Sequence, residues 1–259
     1  MSRFIGKINQ VSQAVSQPMG FKTAQSISEK PRMQLIASLT QFDVDSLADS
    51  LAGADAGLLR ISKLGSGTRT LKKMCQAVSD IPWGGWLGDV GSAGIKQLVK
   101  AGCDFVVFSA TNTPLAIFQD DEVGKVLEVE TSLSEGLLRA VNELSVDAVL
   151  VAGEQEKEYF LTWHHLMLFQ HFADLIAKPL LVSVPSSITT NELQVLWEAG
   201  VKGVVVEAGV EQFGERLAAI RRDIDKLTLP PTRKRGKVEP LLPHIGEETG
   251  VATEDEEEL

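Results

Sequence analysis

KPLLVSVPSSITTNELQVLWEAGVKGVVVEAGVEQFGERLAAIRRDIDKL, residues 178–227, alternates between two structural periods and thereby decides the fold class. Leu180–Val184 is a short apolar, β-branched run, the pattern of a strand buried on both faces. Thr189-Thr190-Asn191-Glu192 has the spacing of a capping box, in which hydroxyl and carboxylate each take a backbone N–H at a helix start. Leu193 and Leu196 give that helix its apolar face, and Ala199-Gly200 ends it. Val204-Val205-Val206 is a second buried strand. Phe213, Leu217, Ile220, Ile224 and Leu227 then step by four and three along a last helix. Two buried strands joined through one helix form a parallel βαβ unit, because parallel neighbours need a long crossover.

Upstream the same unit recurs. Gln34–Leu39, Gly57–Ile61, Trp83–Leu87, Asp104–Ser109, Lys125–Glu130 and Asp147–Ala152 are strand-like runs. Helical patterns separate them: one capped by Asp43, one carrying Leu71, Met74, Cys75 and Val78, and one over Ser92–Ala101 ended by Gly102. Further helices are expected from Thr113-Pro114, from a capping box at Ser132-Leu133-Ser134-Glu135, and over Tyr159–Ala177. Eight consecutive βα units predict an α/β fold, a closed (β/α)8 TIM barrel, with an open doubly wound sheet as the alternative. Three regions follow. Residues 1–30 form an extension with a short amphipathic helix (Phe4, Ile5, Ile8, Val11, Val15) that closes the barrel's bottom or serves as a partner-binding arm. Residues 31–229 form the barrel. Residues 230–259 form a Pro/basic then acidic tail expected to be largely disordered.

Composition bounds the function. The chain has 259 residues, which suits one barrel-sized domain of roughly 250 residues. Its 44% hydrophobic and 23% charged residues are ordinary for a soluble globular protein. No apolar run approaches the ~20 residues needed to span a membrane, so no membrane partner is expected. MSRFIGKINQVSQ has no apolar core of a secretory leader, and Cys75 and Cys103 lack any C-x-x-C or Cys/His spacing; both point to a reducing, cytoplasmic setting. A net charge of −10, part of it from the tail residues Glu254–Glu258, argues against non-specific nucleic-acid binding.

Barrel sites lie at the C-terminal ends of the strands, and one parity of each strand faces the axis. One choice of parity gathers the polar residues inside: Ser38, Thr40, Arg60, Ser62, Ser109, Thr111, Glu128, Glu130, Ser183 and Glu207. Charges inside a barrel need opposite charge or water. Arg60 paired with Glu128 or Glu207 is therefore either a buried structural ion pair or a guanidinium that holds an anionic substrate, with Glu128, Glu130 and Glu207 as acids or bases. Lys63, just past the second strand, is the one lysine placed for nucleophilic chemistry; its ordinary reading is a solvated loop lysine. Glu128, Glu130, Glu207 and Asp89 are hard oxygen donors of the kind a magnesium-like ion takes, but no metal and no cofactor is assigned. Tyr159–Phe172 is apolar on more than one face, and a homo-oligomer interface is expected there; the alternative sends His164 or His165 over the barrel mouth.

AGCDFVVFSA (101–110) and WEAGVKGVVVEAG (197–209) resemble the recurring Ala-Gly-x-Asp/Lys and valine-rich strand of aldolase-type barrels, a group that includes ribulose-phosphate-binding and FMN-linked barrels. The resemblance implies phosphate binding by glycine-rich loops after the seventh and eighth strands. The matching positions are Val184-Pro185-Ser186-Ser187-Ile188 and Glu207-Ala208-Gly209, which bring Ser186 and Ser187 into the candidate substrate site. Pro-Ser-Ser stands where the glycine pair is expected, and Glu207 stands where phosphate approaches. The first expectation is a small-molecule enzyme (lyase, isomerase or oxidoreductase) acting on an anionic substrate. The second is a catalytically degenerate barrel acting as a binding or assembly subunit.

Overall fold

A computed structural model describes residues 2–14, 32–40, 47–88, 92–115, 123–152, 160–208 and 212–228. Eight parallel strands, β1 (Gln34–Leu39), β2 (Ala56–Ile61), β3 (Trp83–Leu87), β4 (Phe105–Ser109), β5 (Gly124–Val129), β6 (Ala148–Val151), β7 (Leu180–Val184) and β8 (Gly203–Glu207), close in chain order. Closure pairs β1 with β8, Leu35 facing Val204 and Ser38 facing Glu207. The chain is a (β/α)8 barrel. Helix α1 (Arg3–Ala14) precedes the strands. α2 (Leu47–Ser50), α3 (Leu64–Ala77), α4 (Ser92–Lys100), α5 (Glu135–Ala140), α6 (Trp163–Leu175), α7 (Thr190–Glu198) and α8 (Phe213–Asp225) surround them. The anticipated cap at Asp43, the helix beyond Leu115, Tyr159, and the tail from residue 229 lie outside the described residues.

Alternation divides the apolar residues into two cores. Met33, Leu35, Leu59, Val106, Val149, Val182 and Val204 point outward to the helices. Ile36, Leu58, Val107, Val126, Leu150, Leu181 and Val205 fill the axis, joined by Phe4, Ile5 and Ile8 of α1. Helix α1 therefore sits under the strands as the lowest layer of the interior. Phe4 stacks on Phe105 with centroids 4.3 Å apart. Two glycines make room: a Cβ at Gly84 would lie 2.4 Å from the Phe105 ring, and one at Gly124 2.5 Å from Ile5.

The bottom is also hydrogen-bonded shut. Asp104, just before β4, takes the backbone N–H groups of Arg3 (2.8 Å) and Phe4 (2.9 Å) and the Ser2 hydroxyl (2.7 Å). An anion at these unpaired first-turn amides satisfies them and complements the helix dipole. Asp55 and Asp147, just before β2 and β6, accept the Leu35 and Lys125 N–H groups at 2.8 Å.

Two helix starts differ from the sequence pattern. The helix expected over Tyr159–Ala177 begins at Trp163, because Thr162 caps it with His165 in the role usually taken by glutamate. Ser132 does not cap α5: Ser134 is the N-cap, without a side-chain bond, and the Ser132 hydroxyl turns to Glu130 at 3.4 Å. The Thr189/Glu192 capping box of α7 forms as its spacing predicts.

Candidate functional site

Above the axial core, the C-terminal ends of the strands open into a cavity of about 760 Å³. Its floor is Trp86, the axis-facing residue of β3, opposite Arg60 in strand register. The Arg60 guanidinium carbon lies over the indole, 4.2 Å from the ring centroid, a cation–π contact. The indole N–H donates to Glu128 Oε2 at 2.8 Å. On its other side Arg60 approaches Glu207 at 3.6 Å, with side chains 26% and 51% exposed. Arg60, Glu128 and Glu207 thus converge as their shared parity predicts, but Trp86 stands between the arginine and Glu128. Trp83, at the other end of the same strand, points outward; its N–H donates to the Val78 carbonyl at 2.8 Å.

The rest of the wall mixes polar side chains with apolar ones such as Val129, Val151 and Leu168. Glu130 accepts from the Thr111 hydroxyl (3.2 Å) and from Ser132. Ser62, Ser109, Asn112 and Thr131 also line the cavity. Helix α6 supplies His164 and His165. The Thr162 backbone N–H donates to His165 Nδ1 at 3.1 Å, and the Thr162 hydroxyl lies 2.9 Å from the same nitrogen. The first turn of α6 therefore orients an imidazole at the mouth.

Some candidate residues sit elsewhere. Ser38 lies on the axis beside Glu207 in register, 1% exposed. Its hydroxyl and Arg60 Nε are out of solvent without hydrogen-bond partners among the described residues. Ser183 is half-buried on β7 and does not line the cavity. Lys63 is an exposed N-cap of α3, its carbonyl accepting from Gly67 N at 2.9 Å. Ser186 and Ser187 lie in the turn after β7, also outside the lining. There Arg216 of α8 donates to the carbonyls of Ser186 and Ile188 (2.9 Å to the latter). Asp89 lies outside the described residues, and among those described no three of His, Cys, Asp and Glu gather as metal ligands. Trp86, Asn112 and Arg216 were not among the site residues assigned from the sequence. Trp86 alone had a signal, its axis-facing parity in WGGWL.

No family model matches the chain, and no curated protein matches it. Solved structures do. A mutant tryptophan synthase α-subunit from the hyperthermophile Pyrococcus furiosus superposes with a TM-score of 0.59 at 15% identity, over 76% of this chain and 98% of that one. Orotidine 5'-phosphate decarboxylase from Pyrococcus horikoshii gives 0.59 at 13% identity, over 75% and 100%. The expected likeness to this broad group of barrels is borne out at the level of fold.

Proposed function

We propose that the protein binds a small anionic molecule in the cavity above Trp86 and acts on it as an enzyme of the lyase, isomerase or oxidoreductase kind. Arg60 carries the reading. Among the described residues its guanidinium sits over an indole, holds one long ion pair and keeps Nε without a hydrogen-bond partner, on the wall of an open cavity. A planar, partly desolvated fork of donors is suited to a carboxylate or phosphate. Ser62 and Ser109 supply hydroxyls for the neutral part of the ligand. Glu128 keeps Oε1 beyond its bond to Trp86, which suits it to general acid or base work; among the described residues Glu130 on the cavity wall and Glu207 beside Arg60 are further carboxylates. The solved neighbours are enzymes, which supports a catalytic barrel by fold analogy only. Free thiols at Cys75 and Cys103 fit a cytoplasmic setting.

A thermal-shift and calorimetric screen of phosphorylated and carboxylated metabolites on wild type and Arg60→Gln tests the reading. Binding that weakens at least tenfold in Arg60→Gln supports it; ligands held equally by both proteins overturn it. A second reading, a barrel that binds or assembles without chemistry, is favoured by the turn after β7. Arg216 draws two of its carbonyls to a protein cation, where related barrels use a glycine-rich loop for phosphate. Turnover of a bound metabolite that disappears in Glu128→Gln while binding persists excludes that second reading.

A further inference from the structure

A second concavity, of different character, adjoins the mouth. The start of α6 and the facing side of α7 enclose about 490 Å³ between Leu166, Phe169, Val195 and Leu196. At its edge Phe160, Trp163 and Met167 are 75%, 81% and 68% exposed. A contiguous patch of large apolar side chains on a helix apolar beyond one stripe is a surface that needs cover.

We propose that this face is the interface of a two-fold homodimer, in which Phe160 and Trp163 of each copy enter the cleft of the other. Shape is the first argument. A two-fold interface uses the same patch twice, so the patch must carry both the protrusion and its recess, and here aromatic rings stand beside an apolar cleft. Size is the second. Aromatic side chains bury ~150–250 Å² each, so the exposed parts of Phe160, Trp163, Met167 and Val195 with the cleft walls reach roughly 500 Å² per copy, or about the 1,000 Å² total of a specific contact. Charge is the third. Glu192 is the one charged residue lining the cleft among the described residues, and its Oε2 already receives the Thr189 N–H (2.8 Å) and hydroxyl (2.7 Å), so closure has only Oε1 left to keep at the solvent edge. The interface also reaches the ligand cavity: Phe169 walls both, and Trp163 shares a helical turn with His164 and His165.

The competing occupant is the chain's own C-terminal segment. Thr228 is fastened to Gln194 of α7 by bonds of 3.0 and 3.3 Å, and the segment beyond it carries Leu241-Leu242-Pro243. Light scattering coupled to gel filtration, on the full chain, separates the cases by mass and needs no ligand. Wild type is expected at twice the mass of one chain, and so is a Leu241→Ser/Leu242→Ser double variant. Trp163→Glu and Val195→Glu are expected as folded monomers whose melting midpoints no longer depend on protein concentration, since both side chains are exposed in one copy. A monomeric wild type overturns the proposal; if the double variant then becomes dimeric, the tail is the occupant. A dimer that survives both glutamates places the interface elsewhere and also overturns it.

Discussion

Two arginines, one at each end of the barrel, show how this fold divides its labour. Arg221 of α8 is 8% exposed and reaches Asp55 at 2.6 Å and Asp225 at 3.1 Å, while Asp55 also takes the Leu35 N–H. Arg60, at the other end, is a quarter exposed, 3.6 Å from a half-exposed Glu207, and stacked on Trp86. Both pair with carboxylates, but burial inverts their meaning. The lower arginine is closed in by charge and backbone and ties α8 to the β1–β2 edge. The upper one faces a cavity with unused donors. A short pair out of solvent marks the structural end; a long, half-exposed pair beside a cavity marks the end available for chemistry.

This contrast breaks if the two arginines respond alike to removal. Arg221→Ala leaves Asp55 buried without its cation and is expected to cost about 3–5 kcal/mol in a denaturant melt. A loss below 1 kcal/mol would make the lower pair as dispensable as a surface one. Phe4→Ala, which empties the lowest axial layer, is expected to cost about 3 kcal/mol by the same measurement. A near-neutral result would mean that α1 does not fill the axis in solution. Arg60→Ala is expected to cost only about 1–2 kcal/mol, the sum of a partly solvated ion pair and a cation–π contact, while abolishing anion binding. A loss as large as that of Arg221→Ala would identify the upper ring as structural.

The smallest effect sharpens the comparison at the lower end. Burial pushes the Cys103 thiol up to about 12 and that of Cys75 up to about 11. Reaction with iodoacetamide at pH 8 is therefore expected to be slower than in the unfolded chain by about two orders of magnitude at Cys75, and by more at Cys103, because only the thiolate reacts. The sign for stability follows. With the folded values above the unfolded 9.0, the contribution is complete below pH 9 and is lost as pH rises toward 11–12. Equal alkylation rates for folded and unfolded protein would show an open lower end.

Much of this was legible because burial on both faces writes parallel strands as uninterrupted apolar runs. Leu35–Leu39, Val149–Val151 and Val204–Val206 declare themselves this way, and the polar residues that interrupt the axial parity, Ser38, Arg60, Ser109 and Glu128, mark the upper ring. Less legible was everything set by a side chain's choice among near-equal partners. Ser132 has a capping spacing but bonds Glu130, and His165 replaces glutamate in a capping box because its Nδ1 accepts an N–H equally well. Trp86 looks like filler in WGGWL until strand register sets it across from Arg60. Arg216 is one charge among several on α8, and only the placement of the β7 turn tells its carbonyl bonds apart from a solvated surface.

Helix α1 bears on the order in which the molecule can be made. Its amides end on Asp104, a hundred positions down the chain, and its ring stacks on Phe105. β1 in turn gains its second neighbour only when β8 exists. Helix α1, made before every strand it packs on, therefore receives its seat only after half the barrel has been synthesised, and the sheet closes at the last strand. Until then Phe4, Ile5 and Ile8 form an exposed apolar stripe on a nascent chain, a sticky end that folding must shelter.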